Sequence, residues 1–458
     1  MSDLTSESLT TLCRLIQTRA VSPVAVVESH LQRIEQLNPA INAIVTLAPD
    51  ALEKAREAEL AITRGDLCGP LHGIPLTIKD TIETAGIRST SGSVTRANFV
   101  PDRDAEAVAR LKSAGAIVLG KTNAAEMAMD YTADNPVFGR TNHPHDASLT
   151  PGGSSGGEAA AIATFMSPGG IGSDLAGSVR VPAHFCGIAG LRPTVGRVPG
   201  GGQCPPASGP YSLGSVIGPM ARTVEDLQLL FRVLAGEPTT QKQFDLKGTG
   251  VAWYTDDTTA PVSSETVTAV QTAADALSQA GLQTQEARPP GVERGNELWL
   301  RLFSRTTVVI LRNLYAGRED EGGDFVRWRL ATVDDTPAPS MDDYIKTWLE
   351  RDQLREGLLR WMEDKPLLLA PVGATAAVPH GTLKVQVGDE KIGMFRAFSY
   401  AQAFTVFDLP VVVVNAGRTK EGLPVGVQLI GRPFQEEQVL AAAQLLEDSS
   451  RGEDFTSG

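Results

Sequence analysis

Apolar residues along the chain alternate between helical and strand-like spacing. Residues 1–36 predict two helices, and residues 50–64 predict a polar, alanine-rich third one. Short apolar runs predict five strands, at 74–78, 116–120, 366–370, 411–414 and 425–430. A helix is expected between the first two of these strands, and another over 435–447 after the last. This alternation predicts an α/β fold.

Local signals mark the ends of several of these helices. Ser22-Pro23 starts the second helix, and Asn38-Pro39 is expected to end it. Asp104 is expected to cap the helix between the first two strands, and Gly115 to stop it. These signals set the boundaries against which the structure is compared below.

Two stretches lack the regular pattern. Residues 132–157 are rich in Asn, Pro, Gly and Ser and predict a loop. Residues 236–345 are weakly patterned, hold three of the five tryptophans, and suggest a cap or a variable insertion that shapes a substrate site. No repeat or linker divides the 458 residues, so a single elaborated domain over 1–458 is predicted, although the length alone suggests roughly three units.

Charge and cysteine usage narrow the class of protein. The formal net charge of −13 argues against a nucleic-acid partner and against an anionic membrane surface. The first twenty residues lack the features of a signal peptide, and no apolar run approaches the length of a transmembrane helix. Four cysteines without a CxxC pair indicate neither a disulfide framework nor a zinc site, so a cytoplasmic location is expected.

Three polar features carry the candidate chemistry. Lys79 directly follows the strand at 74–78, although by itself it fits a surface residue at a strand end equally well. Residues 152–158 (GGSSGGE) let the backbone approach a ligand closely ahead of a helix, with a plain capping loop as the alternative. Residues 172–180 (GSDLAGSVR) place small residues before a serine, so that several backbone N–H groups can point at one spot, as an oxyanion hole requires.

Other interpretations of these residues are weaker. The glycine loop has no Gly-Lys-Ser/Thr ending, so it is not a Walker A loop. It matches G-x-S-x-G around Ser154 or Ser155, but residues 142–146 before it are a poor strand, whereas a nucleophile elbow needs one. His143 and His145 have metal-ligand spacing without a third ligand nearby and are interpreted as loop residues, so no metal is predicted.

Taken together, the motifs resemble the amidase signature family. GIPLTIKD at 73–80, PGGSSGGE at 151–158 and GSDLAGSVRVPAHFCGIAGLRPT at 172–194 follow one another in that family's order. Further matches are KTN at 121–123, FGRTN at 138–142 and GLPVGVQLIGRP at 422–433. The resemblance implies a large mixed, twisted sheet flanked by helices on both faces. It covers a signature core at 71–233 and a C-terminal core at 366–447, with the variable region at about 236–345 between them.

The resemblance also implies the catalytic roles. By motif, Ser178 is the nucleophile, Ser154 is a bridging serine that follows a cis peptide bond, and Lys79 is the base. A lysine can accept a proton only when neutral, so burial or a nearby positive charge must lower its pKa. The backbone amides of Leu175, Ala176, Gly177 and Ser178 are expected to hold the oxyanion.

Neighbouring residues receive supporting roles. Asp174 and Arg180, together with Ser155, are expected to fix the loops rather than touch the substrate. Ala176 stands where the family usually has glycine, and its methyl group puts the size of the site in question. Ala128 aligns with a pocket-wall position of fatty-acid-amide-hydrolase-like members, and its neighbours Met127 and Met129 fit either an acyl pocket or the core.

The predicted function is therefore hydrolysis of a carboxylic amide through a seryl acyl-enzyme, without a cofactor. The partner is a small-molecule amide, with no nucleic acid and no membrane, and a homodimer is a further hypothesis. One alternative is the glutaminase-type component of a glutamine-dependent tRNA amidotransferase, its A subunit. An alternative of another class is a non-catalytic interaction protein, against which intact Lys79, Ser154 and Ser178 argue.

Overall fold

The computed structural model describes residues 3–239, 244–332 and 338–452. Fourteen helices lie in these ranges: α1 (Leu9–Gln17), α2 (Pro23–Ile41), α3 (Ala51–Arg64), α4 (Glu106–Ser113), α5 (Gly156–Ala163), α6 (Arg180–Cys186), α7 (Val224–Ala235), α8 (Ser264–Gln279), α9 (Gly295–Leu314), α10 (Asp324–Thr332), α11 (Met341–Trp361), α12 (Met394–Ala397), α13 (Ser399–Val406) and α14 (Glu436–Gly452).

Thirteen strands lie in the same ranges: β1 (Ile44–Leu47), β2 (Pro75–Lys79), β3 (Ile117–Thr122), β4 (Gly169–Asp174), β5 (Ala189–Arg192), β6 (Val216–Ala221), β7 (Gly250–Trp253), β8 (Gln283–Glu286), β9 (Leu367–Pro371), β10 (Lys384–Val387), β11 (Glu390–Gly393), β12 (Val411–Arg418) and β13 (Pro424–Ile430). Strands β10 and β11 form a separate two-stranded sheet.

The other eleven strands form one mixed sheet in the order β1-β3-β2-β4-β6-β5-β12-β13-β9-β7-β8. Strands β3, β2 and β4 run parallel to one another, as do β9, β7 and β8. The pairs between these two groups are antiparallel. The mixed α/β fold is therefore confirmed.

Helices bury both faces of the sheet, and β12 shows how the sequence specifies this. Successive side chains of a strand point to opposite faces. Val412 and Val414 pack into a core with residues of α7, α8 and α14, whereas Val411 and Val413 pack into a second core with residues of α6 and α13. A continuous run of valine is thus buried on both sides, as expected for a central strand.

The apolar face of α1 is buried within the chain. Leu9, Leu12 and Ile16 are buried in the core that contains α7. Ser22 caps α2 as expected, but α2 passes through Pro39 to Ile41, so the expected end at Asn38-Pro39 is wrong. The carboxamide oxygen of Asn38 accepts hydrogen bonds from the N–H groups of Ala43 and Ile44, both at 2.9 Å, and fixes the exit of the chain.

Two further expectations differ from the structure. Asp104 does not cap α4: its carboxylate accepts from the Ala85 N–H at 2.8 Å and pairs with Lys112 at 2.8 Å. The weakly patterned region at 236–345 is more than a cap, because β7 and β8 extend the main sheet beside β9. None of the described helices is long and apolar enough to cross a membrane.

The parallel strands β2 and β4 bring the candidate residues together. Thr77 pairs with Gly170 and Ile78 with Ile171, so the two strands end at the same edge of the sheet. Lys79 is the last residue of β2, and β4 ends at Asp174, directly before the loop that holds Ser178. Polar groups at the carboxyl ends of adjacent parallel strands converge on one place, which is where α/β folds form their sites.

Candidate active site

Lys79 lies at the bottom of the site and is fully buried, with 0% of its surface exposed. Its Nζ lies 2.6 Å from Ser154 Oγ and 3.0 Å from Ser173 Oγ, within hydrogen-bond distance of both hydroxyl groups. The structure therefore brings Lys79 and Ser154 into direct contact, and it adds a second hydroxyl to which the sequence assigned no role.

The surroundings of Lys79 disfavour its charged form. Burial lowers the pKa of Lys79 to about 7, although the negative charges of Asp174 and Glu158 act in the opposite direction. Near neutral pH a substantial fraction of this amine is consequently unprotonated, which is the state in which a lysine can accept a proton.

The glycine loop positions the two serines ahead of α5. The peptide bond between Gly153 and Ser154 is cis, as the resemblance implied. A Cβ atom at Gly153 would lie 2.0 Å from the carbonyl oxygen of Thr132, so only glycine fits there. Ser155 N donates to the carbonyl oxygen of Ser178 at 3.1 Å, which ties this loop to the one that holds the expected nucleophile.

The loop at 174–180 is organised by a buried ion pair. Arg180 donates from Nη2 to Asp174 Oδ1 at 2.8 Å and from Nε to Oδ2 at 3.0 Å, and both side chains are fully buried. Burial alone would raise the pKa of Asp174, but the Arg180 guanidinium overcomes this and holds it at about 2. Arg180 also reaches the carbonyl oxygen of Ala401 at 2.5 Å and Thr405 Oγ1 at 2.8 Å. The pair thereby joins the loop to α13.

The Asp174 carboxylate accepts a hydrogen bond from one of the four backbone amides that were expected to hold an oxyanion. Gly177 N donates to Asp174 Oδ1 at 2.9 Å, and Val179 N donates to Oδ2 at 3.0 Å. The backbone amides of Leu175, Ala176 and Ser178 have no acceptor within the described ranges. The structure thus differs from the expectation at Gly177, because its N–H is already bonded inside the loop.

Two side chains hold the carbonyl groups on the opposite side of this loop. Trp299 Nε1 donates to the carbonyl oxygen of Leu175 at 2.7 Å, and the Tyr131 hydroxyl donates to that of Ala176, also at 2.7 Å. The C=O and N–H of a trans peptide point in opposite directions. Fixing the Leu175 carbonyl therefore fixes the direction of the next N–H, that of Ala176.

A chain of amides supports this arrangement from α9 and α13. Gln402 Nε2 donates to the hydroxyl oxygen of Tyr131 at 3.0 Å, and Asn296 Nδ2 donates to Gln402 Oε1 at 2.6 Å. Asn296 and Trp299 are three residues apart on α9, on one face of that helix. One helix therefore supports both carbonyl contacts.

Glu158 is a second buried titratable group near Lys79. Its carboxylate accepts hydrogen bonds from Thr77 Oγ1 at 2.5 Å and Thr122 Oγ1 at 2.7 Å. Burial raises the pKa of Glu158 to about 7, against those hydrogen bonds and the nearby charges of Lys121 and Lys79. Glu158 thus belongs to the electrostatic environment of Lys79.

A cleft lies above these residues. Ser154, Ser173 and Ser178 line it together with Ala128, the predicted wall position, and its neighbours Met127 and Met129. Leu175, Cys204 and Tyr211 line other parts of it. The cavity volume of this cleft is about 40 Å³.

Metal-binding residues are not gathered at this site. Within the described ranges, no three His, Cys, Asp or Glu side chains are placed to share an ion. His143 makes a structural contact instead, with its Nε2 at 2.9 Å from the carbonyl oxygen of Phe185. Cys186 is buried in the second core, where it packs as a small apolar side chain.

Several residues of the site have weak sequence signals. Glu158 is the last residue of the glycine-loop motif at 152–158, and that position was the only signal for it in the sequence. Ser173 lies in the motif at 172–180, and only the structure places its hydroxyl beside Lys79. Trp299 and Tyr131 have no local signal, because their contacts are with residues more than forty positions away.

Buried Lys79, the serine hydroxyls around it and the amide-rich loop, set in a large mixed sheet, are features of a hydrolase that acts on carboxylic amides. The chain belongs to the Amidase family, whose sequence model matches residues 25–440. This confirms the resemblance and the assignment as an amide hydrolase.

Individual relatives extend over nearly the whole chain. The A subunit of glutamyl-tRNA(Gln) amidotransferase from Sulfurihydrogenibium sp. (strain YO3AOP1) is 31% identical, with 96% of each chain covered. Fatty-acid amide hydrolase 2 of Homo sapiens is 30% identical, covering 96% of this chain and 88% of that protein. A crystal structure of an amidase matches with a TM-score of 0.86 at 29% identity, covering 97% of this chain and 100% of that one.

Proposed function

We propose that Ser178 attacks the carbonyl carbon of an amide and that Lys79 activates it through Ser154. The observation that carries the proposal is the contact of 2.6 Å between the fully buried Lys79 Nζ and Ser154 Oγ. Burial lowers the pKa of this amine to about 7. A serine hydroxyl is a weak nucleophile until a base removes its proton, and a neutral lysine supplies that base.

In the proposed mechanism the same hydroxyl, that of Ser154, relays the proton in both directions. In acylation, the Ser178 hydroxyl gives its proton to Ser154 Oγ while Ser154 gives its own proton to Lys79. When the tetrahedral intermediate collapses and the C–N bond breaks, the proton returns along the same path to the leaving nitrogen. The amine or ammonia leaves and Ser178 carries the acyl group. Water then attacks the ester, and the acid is released.

The oxyanion is held by three backbone amides, those of Leu175, Ala176 and Ser178. Each such donor typically contributes about 10²- to 10³-fold in rate. Asp174 and Arg180 act on this loop rather than on the substrate, since the carboxylate bonds to the Gly177 and Val179 amides. Ser155 ties the glycine loop to it.

There are two alternatives to amide hydrolysis by the chain alone. The similarity to amidotransferase A subunits favours a role in glutamine-dependent transamidation, in which activity would depend on partner proteins. A non-catalytic interaction protein is disfavoured, because a buried lysine in contact with two serine hydroxyls is costly to retain without a use.

We also propose a cytoplasmic location, in keeping with four cysteines that form no disulfide. A homodimer stays a prediction to be tested by light scattering. The apolar face of α1 is buried within the chain, so a dimer contact would use other surfaces.

The test is covalent labelling with a fluorophosphonate probe followed by mass mapping. We expect the label on Ser178, and we expect Ser178→Ala to lose both labelling and amide turnover. Ser278→Ala, on the exposed side of α8, is the matched control and should retain both. A label mapped to Ser154 or Ser155 would overturn the assignment of the nucleophile.

A further inference from the structure

The cleft above Ser178 offers a substrate almost no charge. Its apolar lining comes from Met127, Ala128, Met129, Leu175 and Pro205, with the weakly polar Cys204 beside them. Its polar lining residues other than the catalytic serines and Asp174 carry neutral hydroxyl or amide groups. No arginine or lysine lines it within the described part of the chain.

Among the described residues, the one carboxylate that lines the cleft is already in use. Asp174 is 1% exposed, and its two oxygens accept from Arg180, from Gly177 N and from Val179 N. The carboxylate next to the methionine wall, Glu126, faces elsewhere, because it accepts from the Tyr315 hydroxyl at 2.5 Å and from Gly323 N at 2.8 Å. Neither group is available to pair with a ligand ammonium.

One hydroxyl in the lining does lack a partner. Thr81 is 2% exposed, and its Oγ1 is buried without a hydrogen bond to any described residue. Thr81 lies two residues after Lys79 and lines the cleft. Its position is fixed, since its carbonyl oxygen accepts from Cys204 N at 2.9 Å. A buried polar atom left unpaired in a cleft is a group that a ligand can satisfy.

These observations favour uncharged amides over amides that carry an ammonium or a carboxylate group. A free amino acid brings an ammonium and a carboxylate, and burying either without a partner is costly. An uncharged amide avoids that cost and leaves one polar contact for Thr81.

We infer that this site takes an uncharged amide whose apolar group lies against Met127 and Met129 and which forms a hydrogen bond with the hydroxyl of Thr81. The inference rests on the proposed function, and it names the substrate class of that same site. It disfavours free glutamine as the substrate of this chain.

The test compares two amides of matched shape. In 4-methylpentanamide, methyl groups replace the ammonium and the carboxylate of L-glutamine. Ammonia release and the slowing of fluorophosphonate labelling at Ser178 are measured for both compounds. We expect kcat/KM to be about 100-fold higher for 4-methylpentanamide, and labelling to be slowed at a lower concentration of it.

A second arm tests the threonine with a variant of the same shape. Thr81→Val is expected to lower kcat/KM for 4-methylpentanamide about tenfold, the effect of one hydrogen bond. Its unfolding midpoint should stay the same or rise, because an unpaired buried hydroxyl is removed. Thr268→Val, on the exposed surface of α8, is the control and should leave kcat/KM unchanged.

The outcomes separate this inference from the proposed function. The substrate class is overturned if glutamine is hydrolysed as fast as the neutral amide, or if the neutral amide fails to slow labelling. In either case, labelling at Ser178 would still support the proposed mechanism. A Thr81→Val enzyme with unchanged kcat/KM overturns the role of the hydroxyl. Loss of Ser178 labelling in the wild type would refute the proposed function itself.

Discussion

The protonation of Lys79 is expected to set the pH dependence of acylation. Burial lowers the pKa of Lys79 to about 7, and in the proposed mechanism the neutral amine is the reactive form. Activity should therefore be present above that pH and lost as the pH falls through it. From a pKa of about 7, the neutral fraction is roughly a tenth at pH 6, half at pH 7 and nine tenths at pH 8. The acylation rate should thus rise nearly tenfold from pH 6 to pH 8 and then level off.

Variants at Lys79 test whether this group is the base. Lys79→Ala should lower the rate by about 10²- to 10⁴-fold, the usual contribution of a general base, and should flatten the profile below pH 8. Lys79→Arg should not restore the rate, because a guanidinium keeps its proton. Lys346→Ala, which removes an exposed lysine of α11, is the control for loss of a positive charge.

The assay is the rate of fluorophosphonate labelling, or of the first turnover of an anilide, measured across pH 5.5–9.5. These rates report on acylation without the later hydrolysis of the ester. A wild-type rate that is flat from pH 6 to pH 8 would contradict the reasoning. So would a Lys79→Ala enzyme that keeps both the wild-type profile and most of its rate.

Three further variants follow from the contacts around the site. Glu158→Gln should move the midpoint of the acylation profile to lower pH, because the Glu158 charge raises the pKa of Lys79; an unchanged midpoint would count against this coupling. Trp299→Phe removes one hydrogen bond to the oxyanion loop and should lower kcat about tenfold with little change in KM, whereas a change confined to KM would assign Trp299 to substrate binding. Arg180→Met leaves a buried carboxylate unpaired and should lower the free energy of unfolding by about 3–5 kcal/mol in denaturant titrations. Arg360→Met, which breaks an exposed pair, should cost under about 1 kcal/mol and serves as its comparison.

The elements that carry the site were predictable because local patterns specify them. Residues 74–78 form a short apolar run with a lysine at its end, and β2 (Pro75–Lys79) is the observed strand. The valine-rich run at 411–414 predicted the central strand β12. In both cases burial on two faces leaves a continuous apolar run that is visible in the sequence.

The expectations that failed depended on side-chain contacts that residue composition does not show. Asp104 has the composition of a helix cap, yet its carboxylate binds Lys112 and the Ala85 amide instead. The Gly177 amide looked available for an oxyanion until the position of the Asp174 carboxylate was known. Trp299 lies in a stretch without a recognisable motif, and only the packing of α9 brings its indole to Leu175. The contact between Trp299 and Leu175 spans 124 positions, so no local sequence window contains it.

The hydrogen bonds between α9 and the loop at 174–180 have a consequence for how such an enzyme can acquire new substrates. Asn296 and Trp299 belong to the region with the fewest recognisable motifs. Trp299 bonds directly to the Leu175 carbonyl, whereas Asn296 reaches the Ala176 carbonyl only through Gln402 and Tyr131. Exchanging this helix for that of a relative would alter turnover together with selectivity, since the graft would bring its own support for the loop. Libraries that aim at new substrates should therefore keep these two positions fixed while the rest of the helix is varied.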